Sequence, residues 1–113
     1  MSLVLGIDTS NYTTSFALAR DGEIVCNLKK PVFVGDGQRG VRQSDAVFSH
    51  VKNIPVVSQS LEEYLKGERI DAVAVSVSPR DAEGSYMPCF LAGIAFASGI
   101  AHSHGIPLYE FSH

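Results

Sequence analysis

Residues 70–78, IDAVAVSVS, constrain this chain more than any other stretch. The run is β-branched and almost wholly apolar, which reads as a strand covered on both faces, and such strands belong to parallel sheets flanked by helices. On its amino side Val47, Val51, Ile54, Leu61 and Leu65 keep a spacing of roughly 3.6 residues, the signature of a helix with one apolar stripe. On its carboxyl side CFLAGIAFASGIAHS predicts a second helix near 88–104. A strand set between two helices requires crossover connections, so the chain is α/β.

The other elements follow from alternation and turn chemistry. LVLGID (3–8), YTTSFALAR (12–20) and EIVCNLKK (23–30) read as strands, with Asp21-Gly22 as a hairpin turn between the last two. IPLYEF (106–111) is a final short strand. The order is β-β-β-α-β-α-β, three meandering strands followed by parallel crossovers, a mixed sheet with helices packed on it. Ser44 can cap the first helix, with Asp45 favoured in its first turn by the helix dipole. Pro55 predicts a kink or split just before itself. Residues 31–43 and PRDAEGSYMP (79–88) read as loops.

The 113 residues make one domain, 1–113, and 45% hydrophobic with 19% charged residues suits a soluble globular protein. A net charge of −3 gives no global basic field to attract nucleic acid. No apolar run approaches the roughly 20 residues of a membrane span, and the start lacks a basic, cleavable leader. Cys26 and Cys89 suit neither a disulfide framework nor a CxxC knuckle, so a reducing cytoplasm is expected.

The polar stretch IDTSNYTTS (7–15) ends the first strand with Asp8 and the hydroxyls of Thr9, Ser10, Thr13, Thr14 and Ser15. Backbone amides and short hydroxyls at a tight turn can cradle phosphate oxygens, and Asp8 could hold magnesium through water. Alternatively, the hydroxyls bond only their own turn. PRDAEGSYMPC (79–89) joins a strand to a helix, where ligands settle in open α/β sheets. There Gly84 permits close backbone approach, and the helix N-terminal amides favour an anion. It also reads as a plain capped loop.

GDGQRG (35–40) matches a dinucleotide fingerprint only in spelling. No helix opens at its last glycine, and Glu62 and Glu63 sit on a helix where a strand-end acid is required. His102 and His104, two apart, point to different sides of a helix, and His50 falls on the polar side of the first helix, in solvent. The second helix is apolar nearly all round. Its row Gly93, Ala97, Ala101 permits close approach of another element, which predicts a homodimer through 88–104.

Three stretches carry a resemblance: LGIDTSNYTTSFAL, SDAVFSHVKNIP and VSPRDAEGSYMPCFLAGIAFA. They resemble the glycoprotease family, the threonylcarbamoyladenosine tRNA transferases, within the actin, sugar-kinase and heat-shock ATPase superfamily. The resemblance implies a ribonuclease-H-like lobe, the N-terminal one of a two-lobed protein with its site in the cleft between lobes. It implies that Asp8, Thr9, Ser10, Asn11, Tyr12, Thr13 and Thr14 lie against nucleotide phosphates, and that Glu83, Gly84, Ser85 and Tyr86 help hold an acyl-adenylate. Asp81 departs from the family's wording and weakens phosphate contact there.

His113 aligns with the first histidine of the family's HxxxH motif, which holds iron or zinc; ATP with magnesium and tRNA complete the family's cofactors and partners. Such enzymes move a threonylcarbamoyl group from its adenylate onto an adenosine amine of tRNA. An older name, O-sialoglycoprotein endopeptidase, has no support here, since neither HExxH nor a catalytic triad is present. One lobe alone is expected to be inactive. The alternative is a non-catalytic dimerisation or scaffold module, paralogous to the transferase.

Overall fold

The computed structural model describes residues 2–10, 12–32, 43–78 and 88–112. Five strands form one sheet: β1 (Leu3–Asp8), β2 (Thr13–Arg20), β3 (Glu23–Pro31), β4 (Ala72–Ser78) and β5 (Leu108–Ser112), in the order β3-β2-β1-β4-β5. Between them run α1 (Gln43–Leu65) and α2 (Phe90–His104). The meander pairs antiparallel, β1 with β2 and β2 with β3, and the crossovers pair β4 parallel to both β1 and β5. The mixed α/β order read from the sequence is the one observed.

Strand alternation sets the two faces of the sheet. In β1 and β2 every second residue is buried, so Leu3, Leu5, Ile7, Phe16 and Leu18 share one face, joined there by Val73 and Val75. Ile54, Val57 and Leu61 of α1 and Ala92, Ala97 and Ala101 of α2 pack on that same face as a single core. Phe16 stacks on Phe96 of α2 with ring centroids 5.4 Å apart. Asp21 and Gly22 both have positive φ, 51° and 87°, as a two-residue turn compatible with the strand twist requires. A bulge between Leu18 and Ala19 lets β3 fit one extra residue against β2.

Four expectations are corrected. Residues 70–78 were expected to be covered on both faces, but among the described residues both helices lie on one face, and Ala74 and Ser76 on the other are only half-buried. Alanine and serine at alternate positions of β4 carry that one-sidedness. Pro55 does not split α1, which runs unbroken for 23 residues. The proline is exposed, so the carbonyl that loses its donor faces water.

His50 is 0% exposed instead of solvated. The row Gly93, Ala97, Ala101 is buried against the chain's own sheet, where small residues let α2 approach β1 closely, and is not offered to a second copy. Smaller shifts concern ends: α1 begins at Gln43, one residue before Ser44, and β4 and β5 each start two residues late.

At the edge remote from these contacts, the Arg20 guanidinium pairs with Glu68 and holds its carboxyl below the usual range. That pairing is present above the ordinary carboxylate range and fades as acid protonates Glu68; being open to solvent, it contributes little.

Candidate functional site

Where β1 ends, Asp8 turns the chain by accepting a hydrogen bond at Oδ1 from the Ser10 amide, 2.8 Å away. The hydroxyl-rich stretch then divides by direction. Thr9 is fully buried: its hydroxyl donates to the Cys89 carbonyl at 2.9 Å and accepts from the Gly93 amide at 3.1 Å. A regular helix would pair that amide with that carbonyl directly. Thr9 therefore stands inside the first hydrogen bond of α2, and no side chain caps the helix locally. The close approach needs a glycine, because a Cβ on Gly93 would sit 2.8 Å from Thr9 Oγ1.

Thr14 is buried as well. Its hydroxyl meets His50 Nδ1 at 2.7 Å and accepts from Asn53 Nδ2 at 3.2 Å. Asn53 also donates to the Pro31 carbonyl at 3.1 Å, so α1 is tied to β2 and the end of β3 at one point. Thr9 and Thr14 thus point into the interior, away from any external ligand. Tyr12 is exposed and Ser10 half-buried, while Thr13, by alternation with buried Thr14, faces the uncovered side of the sheet. Asn11, Glu83, Gly84, Ser85, Tyr86 and His113, all expected site residues, lie outside the described residues, as do Asp81 and the GDGQRG segment.

On the face that no described helix covers, a depression of about 360 Å³ adjoins the Asp8 turn. Asp8 pairs with Ser15 and Ser15 with Lys29, while Ser76 follows the partner of Ile7 and pairs with Phe111. One transverse row thus carries an ammonium, a hydroxyl, a carboxylate, a hydroxyl and an aromatic ring. Gly6, Ala17 and Ala74 form the low floor beside it, with Asn27 at the margin. Such a row can receive an elongated ligand with negative charge at one end and a flat apolar group at the other.

Asn27, Lys29, Ser76 and Phe111 were not singled out from the sequence, and Ser15 only as one hydroxyl of the polar stretch. For Ser15 the signal existed: Phe16 and Leu18 are the apolar members of β2, so the odd positions face away. Lys29 and Phe111 needed the strand register.

Among the described residues no cluster of three or more His, Cys, Asp or Glu could hold a metal ion, so they do not fit the iron or zinc site that the resemblance implies. Asp8, Ser15 and Lys29 do fit a magnesium-bound phosphate in donor type. No described helix is long and apolar enough to cross a membrane.

No family model matches the chain. It is 32% identical over 114 residues to the tRNA N6-adenosine threonylcarbamoyltransferase of Fervidobacterium nodosum, covering 98% of this chain and 32% of that protein. The enzyme of the same name from Porphyromonas gingivalis is 33% identical over 113 residues, again with 98% and 32% covered. The chain therefore spans about a third of the length of the curated relatives it matches. Among solved structures, YeaZ from Pseudomonas aeruginosa superposes with a TM-score of 0.63 at 20% identity, covering 99% of this chain and 44% of that one. Thermus thermophilus RuvC in complex with a Holliday junction substrate gives 0.52 at 15% identity, covering 99% and 65%. These likenesses establish the ribonuclease-H-like, actin-like ATPase fold, and over nearly its whole length the chain is similar in sequence to part of the threonylcarbamoyltransferases.

Proposed function

We propose that this relative of the tRNA N6-adenosine threonylcarbamoyltransferases is the N-terminal lobe of a two-lobed, cytoplasmic tRNA-modifying protein, and that it binds adenine nucleotide or acyl-adenylate. The observation that carries the reading is the Asp8 turn at the carboxyl end of β1, with Ser10 bonded to it and the depression opening beside it. A carboxylate there receives magnesium through water, which when bound supplies charge neutralisation to the phosphates. Asp8 would hold that ion, and Ser15, its cross-strand partner, would offer a hydroxyl next to it. Transfer of the threonylcarbamoyl group onto tRNA belongs to the whole protein, with the metal at the HxxxH motif and the second lobe as the other wall.

The 113-residue chain is expected to bind MgATP weakly, in the high micromolar to millimolar range, because a ligand pocket normally buries most of its ligand and this depression is open. Titration calorimetry checks it. Asp8→Ala should abolish the heat; heat that survives the substitution would move the site elsewhere. The same chain should turn over neither threonylcarbamoyl-adenylate nor glycoprotein, and measured turnover of either would contradict the lobe assignment.

A second reading, a dimerisation or scaffold module, is favoured by exposed apolar side chains on the helical layer: Leu91 of α2, 45% exposed, and Phe48, Val51 and Val56 of α1. A homodimer through 88–104 would use the outward Leu91 and Ala95 and leave the buried glycine–alanine row in place. Sedimentation at micromolar concentration should show a dimer for the wild type and a folded monomer for Leu91→Glu. A monomeric wild type removes this reading.

A further inference from the structure

Away from the Asp8 depression, a groove of about 630 Å³ lies between the end of β3 and α1. Lys30 and Val32 stand on one wall, and Ser49, Lys52, Asn53 and Val56 on the other; the depression beside Asp8 shares none of them. Lys30 pairs with buried Thr14, so by alternation it belongs to the helix-covered face, but on the edge strand it stays exposed beside α1. Lys52 is exposed too, with its ammonium 5.5 Å from the centroid of the Phe48 ring. Among the described residues no carboxylate pairs with either lysine, the one ion pair being Arg20–Glu68.

Asn53 points to a ligand. Its side chain is 7% exposed, and Nδ2 donates to Thr14 Oγ1 and to the carbonyls of Lys30 and Pro31, at 3.2, 3.4 and 3.1 Å. Those carbonyls only accept, which fixes the orientation of the amide. Oδ1 is then left without a partner among the described residues. It is not sealed off, because no fully enclosed side-chain oxygen or nitrogen there lacks a hydrogen bond. The cavity that Asn53 lines is this groove, so an acceptor on a residue more than nine-tenths buried meets it.

We propose that the groove between β3 and α1 binds an acidic peptide segment of a partner protein. Side-chain carboxylates of the segment meet the ammoniums of Lys30 and Lys52, a backbone N–H donates to Asn53 Oδ1, and an apolar side chain rests on Val32 and Val56. The half-buried Ser49 hydroxyl adds a donor. The lysines select the sign of the ligand, and the unpaired oxygen selects an N–H. A phosphodiester backbone carries the charge without the N–H, so a peptide fits where RNA does not. Recognition is through side chains and not by adding a strand to the β3 edge: Pro31 has no N–H, and its carbonyl and that of Lys30 already accept from Asn53. Lys30 and Pro31 also guard that edge against pairing, a role that involves neither Lys52 nor Asn53 Oδ1.

Titrating the isotope-labelled whole chain with a Glu-Leu-Glu tripeptide blocked at both ends, and following amide chemical shifts, tests this. Binding should be weak, with Kd about 1 mM, and should move the amides of Val32, Ser49, Lys52 and Val56. Lys30→Gln and Lys52→Gln should each weaken it about three- to fivefold, the effect of one exposed charge contact. Lys66→Gln, an equal change of charge outside the groove, should not. The blocked Gln-Leu-Gln tripeptide should bind about tenfold more weakly, and glutarate, with two carboxylates and no N–H, several-fold more weakly. Equal losses in all three lysine variants would reduce the effect to net charge and overturn the proposal. Equal affinity for the two tripeptides, or glutarate binding as tightly as Glu-Leu-Glu, would overturn it as well. Oligouridylate moving the same amides at lower concentration would assign the groove to RNA instead. No shift at these amides with about 10 mM tripeptide would leave Lys30 a guard of the edge alone and refute the inference.

Discussion

Replacing Gly93 by alanine is expected to destabilise the fold by about 2–4 kcal/mol, against the preference of every isolated helix. In a helix interior alanine is favoured over glycine by about 1 kcal/mol. Here the new Cβ would lie 2.8 Å from Thr9 Oγ1, 3.2 Å from Thr9 Cγ2 and 3.3 Å from Ile7 Cγ2. Neither neighbour is the free end of a long side chain; both are β-branched and at the end of a central strand. Relief requires α2 to lift from β1, which costs about 1–3 kcal/mol as overpacking. It also strains the Thr9 hydroxyl, whose buried bonds are worth about 1–3 kcal/mol if left unmade.

The control lies six residues on. Gly99 is exposed in the same helix with nothing within 4 Å of its would-be Cβ, and Gly99→Ala should stabilise by up to about 1 kcal/mol. Urea unfolding reads both. A Gly93→Ala protein as stable as the wild type would mean that the contact between β1 and α2 is looser than described. Combining it with Thr9→Ala should recover part of the loss, since the colliding Oγ1 is then gone.

The second large effect is expected at Thr14. Thr14→Val keeps the shape of the side chain and removes the hydroxyl that His50 and Asn53 both meet. Asn53 keeps its bond to the Pro31 carbonyl, so most of the cost falls on the buried imidazole. A loss of about 1–3 kcal/mol follows from removing the buried partner of His50 Nδ1 and weakening the bonding of Asn53. Thr14→Ser keeps the hydroxyl and should lose much less, about 1 kcal/mol for the missing methyl. If valine and serine destabilise equally, the methyl and not the hydrogen bonds holds α1 against β2. Thermal melts of the two variants side by side decide this.

These two threonines show how far the candidate site could be read from its residues. The stretch IDTSNYTTS announced a polar strand end, and Asp8 does stand at that end with the Ser10 amide on its carboxylate. Alternation in β2 gave the faces of Thr14 and Ser15, but the partners that take up the buried hydroxyls were not legible. Thr9 reaches Cys89, 80 residues away, and Thr14 reaches His50, 36 residues away. A threonine buried with both bonds satisfied looks in sequence like a threonine waiting for a phosphate. His50 misled for the same reason: its helical position follows from spacing, but its burial follows from the threonine that receives it.

What the sequence determined by itself is the set and order of elements. Period-two alternation in β1 and β2, the apolar run of β4 and the helical spacing of α1 are local properties, and local sterics and hydrophobic periodicity suffice to express them. The positive-φ pair Asp21-Gly22 likewise needs only its own two residues. Tertiary structure alone decided which face α1 and α2 cover, that the glycine–alanine row of α2 turns inward, and that Lys29 stands in line with Ser15 and Asp8. The physical reason is that a strand's side chains alternate between two equivalent faces. Which face becomes the core depends on where the helices land, and which residues become neighbours across strands depends on register; both are settled by contacts far apart in the chain.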